Sequence, residues 1–317
     1  MSEGAILKEP VHTPNGEHLM AEQWRYEKLT WPEINDSITA QKAVLVPVGS
    51  IEQHGPHLPL DVDVICPTGI AHAVARQIPD QLLVMPPLIH GYTAHVMDFP
   101  GTINIHWQHF INYVLDVGKS LAYHGFKKII LLNGHGSNVP NLDLVGRRVN
   151  LETDAECIAT SWWQFLSVDP DFLPNWRESR IPGGCAHAGE LETSVYMYLD
   201  GDHVRRDKIK DGDIAFNVKE PSNFRWVDLF SAGPGTPVSW TASYSDTGVL
   251  GQASLATAEK GGQAVAEAAK QLAAMIAEFR TAPKPPRGDH HAQPPTMPMP
   301  WTATGTPDRQ GDVHDMD

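Results

Sequence analysis

Cysteine is scarce in this chain, basic residues are in deficit, and no apolar run is long enough to cross a bilayer. The three cysteines, Cys66, Cys157 and Cys185, are odd in number and widely spaced. That argues against a disulfide framework and points to a reducing compartment, so a cytoplasmic location is expected. Lys and Arg total 24 against 38 Asp and Glu, a net charge of −14. Nucleic acid or an anionic membrane would favour a basic face, so neither is expected as a partner. The opening MSEGAILKEP lacks the basic-then-apolar order of a secretion signal. Internal repeats are missing too.

What is present is an alternation of short apolar runs and helical periods. Residues 1–28 are polar and turn-rich and read as an extension. Within LTWPEI, Thr30 reads as a helix N-cap, with Pro32 in the first turn and Glu33 as the acid of a capping box. Strands are expected over 43–48, 82–85, 128–132 and 156–160, and helices over 67–78, 110–125, after Asn138, over 189–199 and over 252–279. The order predicts an α/β domain over 29–280: a three-layer α/β/α fold with a central, mostly parallel sheet. Residues 201–250, rich in Gly, Pro, Ser and aromatics, read as loops and short strands. The proline-rich residues 281–317 read as an extended or disordered tail.

The chemistry concentrates after the first strand, in AVLVPVGSIEQHGPHLPLDVD, which ends at Asp63. A buried strand breaks at Gly49-Ser50 and is followed at once by Glu52, His54, His57, Asp61 and Asp63. Oxygen and imidazole donors massed past a strand end suit a metal site at the open edge of an α/β sheet. Glu52 and His54, two apart, project to one side of an extended segment. His135 in NGHGSN follows the strand over 128–132, and with Glu52, His54 and Asp63 it supplies a binuclear site, Asp63 being the expected bridge. Asp61 reads rather as a helix cap, and His57 as a loop residue packed on Pro59. In HAGELETS a loop becomes a helix, where Glu190 and Glu192 favour the N-terminus in any case. His187 is the candidate to move a proton, provided it lies outside that helix. His95, Trp163 and Ser137 are the candidates for substrate contact. No G-x-S-x-G elbow frames Ser137 as a serine nucleophile.

These strings together resemble the creatininase (creatinine amidohydrolase) family, over roughly residues 29–280. The resemblance implies an α/β/α domain, often hexameric, holding two divalent ions: zinc with manganese, iron or a second zinc. It places Glu52 on a ligand of one ion, His54 on a ligand of the other, Asp63 on the bridging aspartate, His135 on the histidine ligand of the turn, and His187 on the proton carrier. Where creatininase itself has a substrate-contacting tryptophan and a metal-binding glutamate after that turn histidine, this chain has Gly136 and Ser137. Serine cannot replace an anionic ligand, so another carboxylate or a water must fill the shell; Glu192 is the candidate, as a ligand or as a helix-start acid just outside the ligands, and belongs to the expected catalytic set. The resemblance thus implies a binuclear hydrolase acting at the carbonyl of a small cyclic polar substrate, at a C–N bond and not on creatinine. The alternatives are C–C ring opening of a cyclic diketone such as an oxidised inositol, and a non-catalytic metal-binding assembly protein.

Overall fold

The computed structural model describes residues 23–212, 222–231, 233–235, 238–293 and 296. Most of the expected extension and the end of the tail lie outside those residues. In chain order the main elements are α1 (Trp31–Thr39), β1 (Ala43–Val48), α2 (Val62–Gln77), β2 (Leu82–Val84), α3 (Trp107–Tyr123), β3 (Lys128–Asn133), α4 (Val139–Glu152), β4 (Glu156–Ser161), α5 (Phe172–Trp176), β5 (Cys185–His187), α6 (Glu190–Asp200), β6 (Leu250–Gly251) and α7 (Ala258–Thr281).

β1 to β4 form one parallel sheet in the order β2-β1-β3-β4. All six residues of β1 and of β3 are buried, because helices cover both faces. Alternation nevertheless survives in where the side chains go. Leu45, Ile130 and Leu132 enter one core with α2, α6 and α7. Val44, Val46, Ile129 and Leu131 enter another with α3 and α4. The sheet is the middle of three layers, as expected.

This strand order carries a functional consequence. The chain leaves β1 toward β2 on one side and reaches β3 on the other, so the loops after β1 and β3 diverge. A crevice opens there, at the carboxyl ends of the strands, which is where open α/β sheets bind ligands.

Several local expectations are revised. α2 begins at Val62, five residues before Pro67, and holds that proline in its interior. Proline removes the N–H that would bond the carbonyl four residues back, here that of Asp63. That freed carbonyl instead packs on the loops after β1 and β3. A Cβ on Gly49 would stand 2.7 Å from it, and one on Gly134 would collide with it and lie 2.7 Å from Pro67 Cγ. Glycine at both positions lets the first turn of α2 settle on the sheet edge. We expect Gly134→Ala to cost about 1–3 kcal/mol, as overpacking does, measurable by urea unfolding, with weakened metal retention because Asp63 rides on the displaced turn.

Asp61 stands at the N-cap position of α2 but does not cap with its side chain; it accepts a hydrogen bond from Tyr196 Oη at 2.8 Å. The capping acid of α1 is as expected: Glu33 Oε2 accepts from both the backbone N–H and the hydroxyl of Thr30. α7 starts at Ala258 rather than 252, because β6 and a 3-10 turn at Ala253–Leu255 occupy the intervening chain. Residues 23–28 do not behave as an extension: Trp24 is buried, and its carbonyl accepts the Val84 N–H at 2.7 Å beside β2. After Thr281 the described chain has no helix or strand. Lys284 there donates to the carbonyls of Asn150, Thr153 and Ala155 at the end of α4.

Candidate metal centre

Two loops, the end of a strand and two helix starts converge on the crevice. The loop after β1 is fixed by Glu52 N–H donating to Leu60 O at 3.0 Å and by a bridge between Ile51 and Ile103. The turn after β3 is fixed by Asn133, whose Oδ1 accepts the His135 N–H at 3.0 Å and whose Nδ2 donates to His135 O at 2.7 Å. Asn138, fully buried, ties the two loops by donating to Gly49 O and accepting from Tyr92 N–H, each at 3.0 Å. The third segment is β5, whose last residue is His187. Next comes Ala188 at φ +52°, a left-handed conformation that disfavours an alanine. Its N–H donates to Glu192 Oε2 at 2.6 Å and its carbonyl accepts from Thr193 Oγ1 at 3.1 Å. That strained turn sets His187 outside α6 while Glu192 points to the same space.

The side chains brought together are Glu52, His54, Asp63, His135, His187 and Glu192. Asp63 Oδ1 lies 3.3 Å from His54 Nε2, and Asp63 Oδ2 lies 3.1 Å from His135 Nδ1. Glu52 Oε2 is 3.4 Å from His135 Nδ1, and Glu52 Oε1 is 3.5 Å from His187 Nδ1. Glu192 Oε2 lies 3.9 Å from His54 Nε2. Three donor groups follow, each with its ligand atoms within 4.8 Å of one another: Glu52–His54–His187, Glu52–Asp63–His135 and His54–Asp63–Glu192.

Each imidazole is held from behind. His54 Nδ1 donates to Glu52 O at 3.2 Å, His135 Nε2 to Tyr92 O at 3.1 Å, and His187 Nε2 to Gln53 O at 2.8 Å. Tying one ring nitrogen to a carbonyl aims the other at the carboxylates, where a cation that displaces its proton would be ligated, the arrangement of metal-ligating histidines. Thr93 Oγ1 donates to Glu52 Oε2 and orients that carboxylate in the same way.

The electrostatics favour a cation. Burial opposes charge on His54 and His135, yet neighbouring carboxylates, Asp63 foremost at His54 and Glu52 at His135, raise them to about 10 and about 9. Burial also opposes ionisation of Asp63, but His54 and His135 hold its pKa well below the usual carboxylate range. Burial raises Glu192 to about 7, with Asp63 and Glu52 adding to the effect, and it raises Glu52 as well. His187 is pushed well below the ordinary imidazole value, by burial and then by His54. Buried Glu52 Oε1, His54 Nε2 and Asp63 Oδ2 have no hydrogen-bond partner. Such orphaned atoms are costly to bury, and here they face one another across a space that a divalent ion fits. The donor set of imidazole and carboxylate is that of zinc or manganese.

Beside this cluster opens a cavity of about 690 Å³, to which His95 and Ser137 contribute. The His95 ring stacks near that of His135, 6.0 Å between centroids, and Ser137 Oγ lies 3.4 Å from His95 Nδ1. Burial, then His135, lowers His95 to about 4. Trp163 is placed elsewhere: it meets Trp162 edge to face at 5.9 Å inside the core, because the turn after β4 rolls both indoles under α7. His57 does not staple Pro59; buried beneath the site, it donates from Nε2 to Thr193 Oγ1 at 3.0 Å. Tyr92, Trp240 and Tyr244 also line the cavity. Only the aromatic content of residues 201–250 hinted at the last two.

The creatininase family profile, described as creatinine amidohydrolase, matches residues 27–276. The chain belongs to the creatininase family. Among creatininase relatives, creatinine amidohydrolase of Pseudomonas putida is 32% identical over 69% of this chain and 86% of its own length. Mycofactocin precursor peptide peptidase of Mycobacterium ulcerans is 30% identical over 80% of this chain and 88% of its own. The 3-dehydro-scyllo-inosose hydrolase of Thermotoga maritima is 26% identical over 85% and 89%. Of solved creatininases, one described as the manganese form has a TM-score of 0.64 at 30% identity, covering 81% of this chain and 98% of its own. A variant described as of Zn–Zn type has a TM-score of 0.65 at 29% identity, covering 80% and 98%.

Proposed function

We propose that this creatininase-family hydrolase cleaves the C–N bond of an amide with two divalent ions, zinc with manganese, iron or a second zinc. Glu52, Asp63 and His135 would hold one ion, and His54, Asp63 and Glu192 the other. The observation that carries the reading is Asp63, whose two oxygens face histidines of different donor groups at 3.3 and 3.1 Å. Such ions, when bound, supply Lewis acidity for the carbonyl and lower the pKa of water toward neutrality.

Glu192 provides, from α6, the anionic donor that Ser137 cannot. His187 is neutral and keeps a lone pair on Nδ1 toward the cluster, so it can accept a proton from the attacking water and return it to the leaving nitrogen. The apolar cavity wall excludes bulk water and strengthens every charge interaction at the carbonyl.

Two relatives support a C–N bond by the activities in their names, an amidohydrolase and a peptidase. The inosose hydrolase supports the second reading, C–C ring opening of a cyclic diketone, which begins at a carbonyl as well. A homo-oligomer, hexameric by family resemblance, belongs to the same proposal; Trp107 and Tyr123, 46% and 85% exposed on α3, support a protein-facing surface. No helix among the described residues is long and apolar enough to cross a membrane. The cytoplasm remains our proposed compartment, supported by three free thiols.

The test is metal analysis of the purified protein with a panel of amides, peptides and cyclic diketones, before and after chelation. Chelation is expected to abolish turnover and added zinc or manganese to restore it, and Glu192→Gln to lower the metal content from two ions toward one. Full turnover in chelator would overturn the reading.

A further inference from the structure

We propose that the cavity selects an uncharged amide bearing an aromatic or branched aliphatic group beside the scissile carbonyl, and that Trp240 is the specificity-determining residue that receives this group. The inference rests on the hydrolase reading above and adds the chemical class of substrate.

The cavity is divided by chemistry. Glu52, Asp63, His135, His187 and Glu192 form its floor, and Val227, Leu229, Val238, Trp240, Tyr244 and Leu250 form much of its wall. Its volume of about 690 Å³ lies well inside the range of sites that enclose ligands of many atoms. A single small polar ring at the floor would leave most of it unfilled, with apolar wall still facing water. The reacting carbonyl belongs at the floor, so the rest of the substrate must lie along the wall.

Charge narrows the class further. The described lining residues include three carboxylates but no lysine or arginine. A carboxylate or phosphate placed along the wall would lose its hydration and find no cationic side chain among the described lining residues in exchange. An ammonium group would meet acids only at the floor, where the imidazoles and the cation site already claim them. A neutral group fits the wall without either conflict.

Trp240 is the residue shaped for contact. It lines the cavity yet keeps 55% of its surface uncovered. Its backbone is fixed, with its carbonyl accepting from the N–H of Ser243 at 3.0 Å and from Ser243 Oγ at 2.7 Å. The turn continues through Tyr244 N–H and Ser245 N–H, which donate to Thr241 O at 3.1 and 2.9 Å. Farther along the same turn Tyr244 packs with Ala186, Leu250 and Val227 in a small apolar cluster. The turn that carries the indole is therefore fixed, and the indole stands half-exposed at the cavity. Aromatic faces held in this way pair with rings and branched alkyl groups.

The probes are three hydroxamates, whose heads chelate a metal and whose tails differ: acetohydroxamate, 3-phenylpropanohydroxamate and its para-carboxylate. Their Kd values are measured by calorimetry on the zinc-loaded full chain. The phenyl tail is expected to bind about tenfold to a hundredfold tighter than the methyl, as burial of one such group gives. The para-carboxylate is expected to lose most of that gain. Trp240→Ala should bring the phenyl-to-methyl ratio close to one, while Trp240→Phe should keep most of it. A ratio near one in the parent chain, a ratio untouched by Trp240→Ala, or a carboxylate tail as tight as the phenyl would each overturn the inference. If acetohydroxamate itself fails to bind, the metal-site reading falls and takes this inference with it. If acetohydroxamate binds and the phenyl adds nothing, only the specificity assignment falls.

Discussion

Replacing Asp63 with Asn is expected to strip both ions from the protein and to lower turnover by at least about a hundredfold, the upper loss seen when even an outer-shell partner of a metal is removed. The change preserves shape and removes one negative charge. Because each carboxylate oxygen faces a different histidine, the loss cannot be confined to one donor group. Glu192→Gln provides the contrast, since Glu192 belongs to a single group. Elemental analysis distinguishes the two variants directly. Stability gives an independent readout: zinc should raise the Tm of the parent chain, because a ligand that binds only the folded state stabilises it, and should leave that of Asp63→Asn nearly unmoved. The fold itself should survive, because Asp63 sits past the start of α2 and Asp61, at the N-cap, makes no side-chain cap. Full metal content in Asp63→Asn would refute the bridging role.

Lys260→Met is expected to cost about 3–5 kcal/mol of stability, the penalty for leaving a buried charge without its partner. Glu190 is fully buried at the start of α6 and pairs with Lys260 Nζ from α7. It also accepts the N–H groups of Glu178 and Ser179 at 3.1 and 2.9 Å. Burial works against its charge, but Lys260, Ser179 and Glu178 outweigh that and hold its pKa below the usual carboxylate value. The sign follows from linkage: a carboxylate depressed on folding stabilises fully above its unfolded pKa, about 4.3, and loses that contribution as pH falls through the folded value. Removing Lys260 raises the folded pKa, so the acid-unfolding midpoint should move to higher pH. Urea denaturation across roughly pH 3–7, the range where carboxylates titrate, is the measurement. Adding Glu190→Gln to Lys260→Met should recover part of the loss. A cost below about 1 kcal/mol, the scale of an exposed pair, would show that the pair carries little.

Much of this architecture was legible because β1 and β3 carry continuous apolar runs, 43–48 and 129–132, each followed within two residues by glycine and then by donors. Such a run can be satisfied only in a sheet covered on both faces, and its carboxyl end is then where polar groups gather. The local sequence was misleading at Pro67, which marks a helix start in most settings; here the freed carbonyl of Asp63 nestles between two glycines from other loops, a contact that no local pattern encodes. Asp61 looked like a cap for the same local reason, while its partner Tyr196 lies on α6, 135 positions away. The placement of Trp163 in the core and of Trp240 on the cavity is likewise a matter of long-range packing, since Trp163 lies in the turn past β4 and Trp240 in irregular chain, where no helical or strand period sets which way a side chain turns.

The three carbonyl tethers behind His54, His135 and His187 have a thermodynamic consequence. Immobilising a side chain costs conformational entropy, and in this fold that cost is met when the polypeptide closes rather than when an ion arrives. The donors are set before any ion is bound, so little of the affinity for one would be spent on reorganisation, and substitutions that loosen the carbonyls of Glu52, Tyr92 or Gln53 should register as faster loss of bound metal.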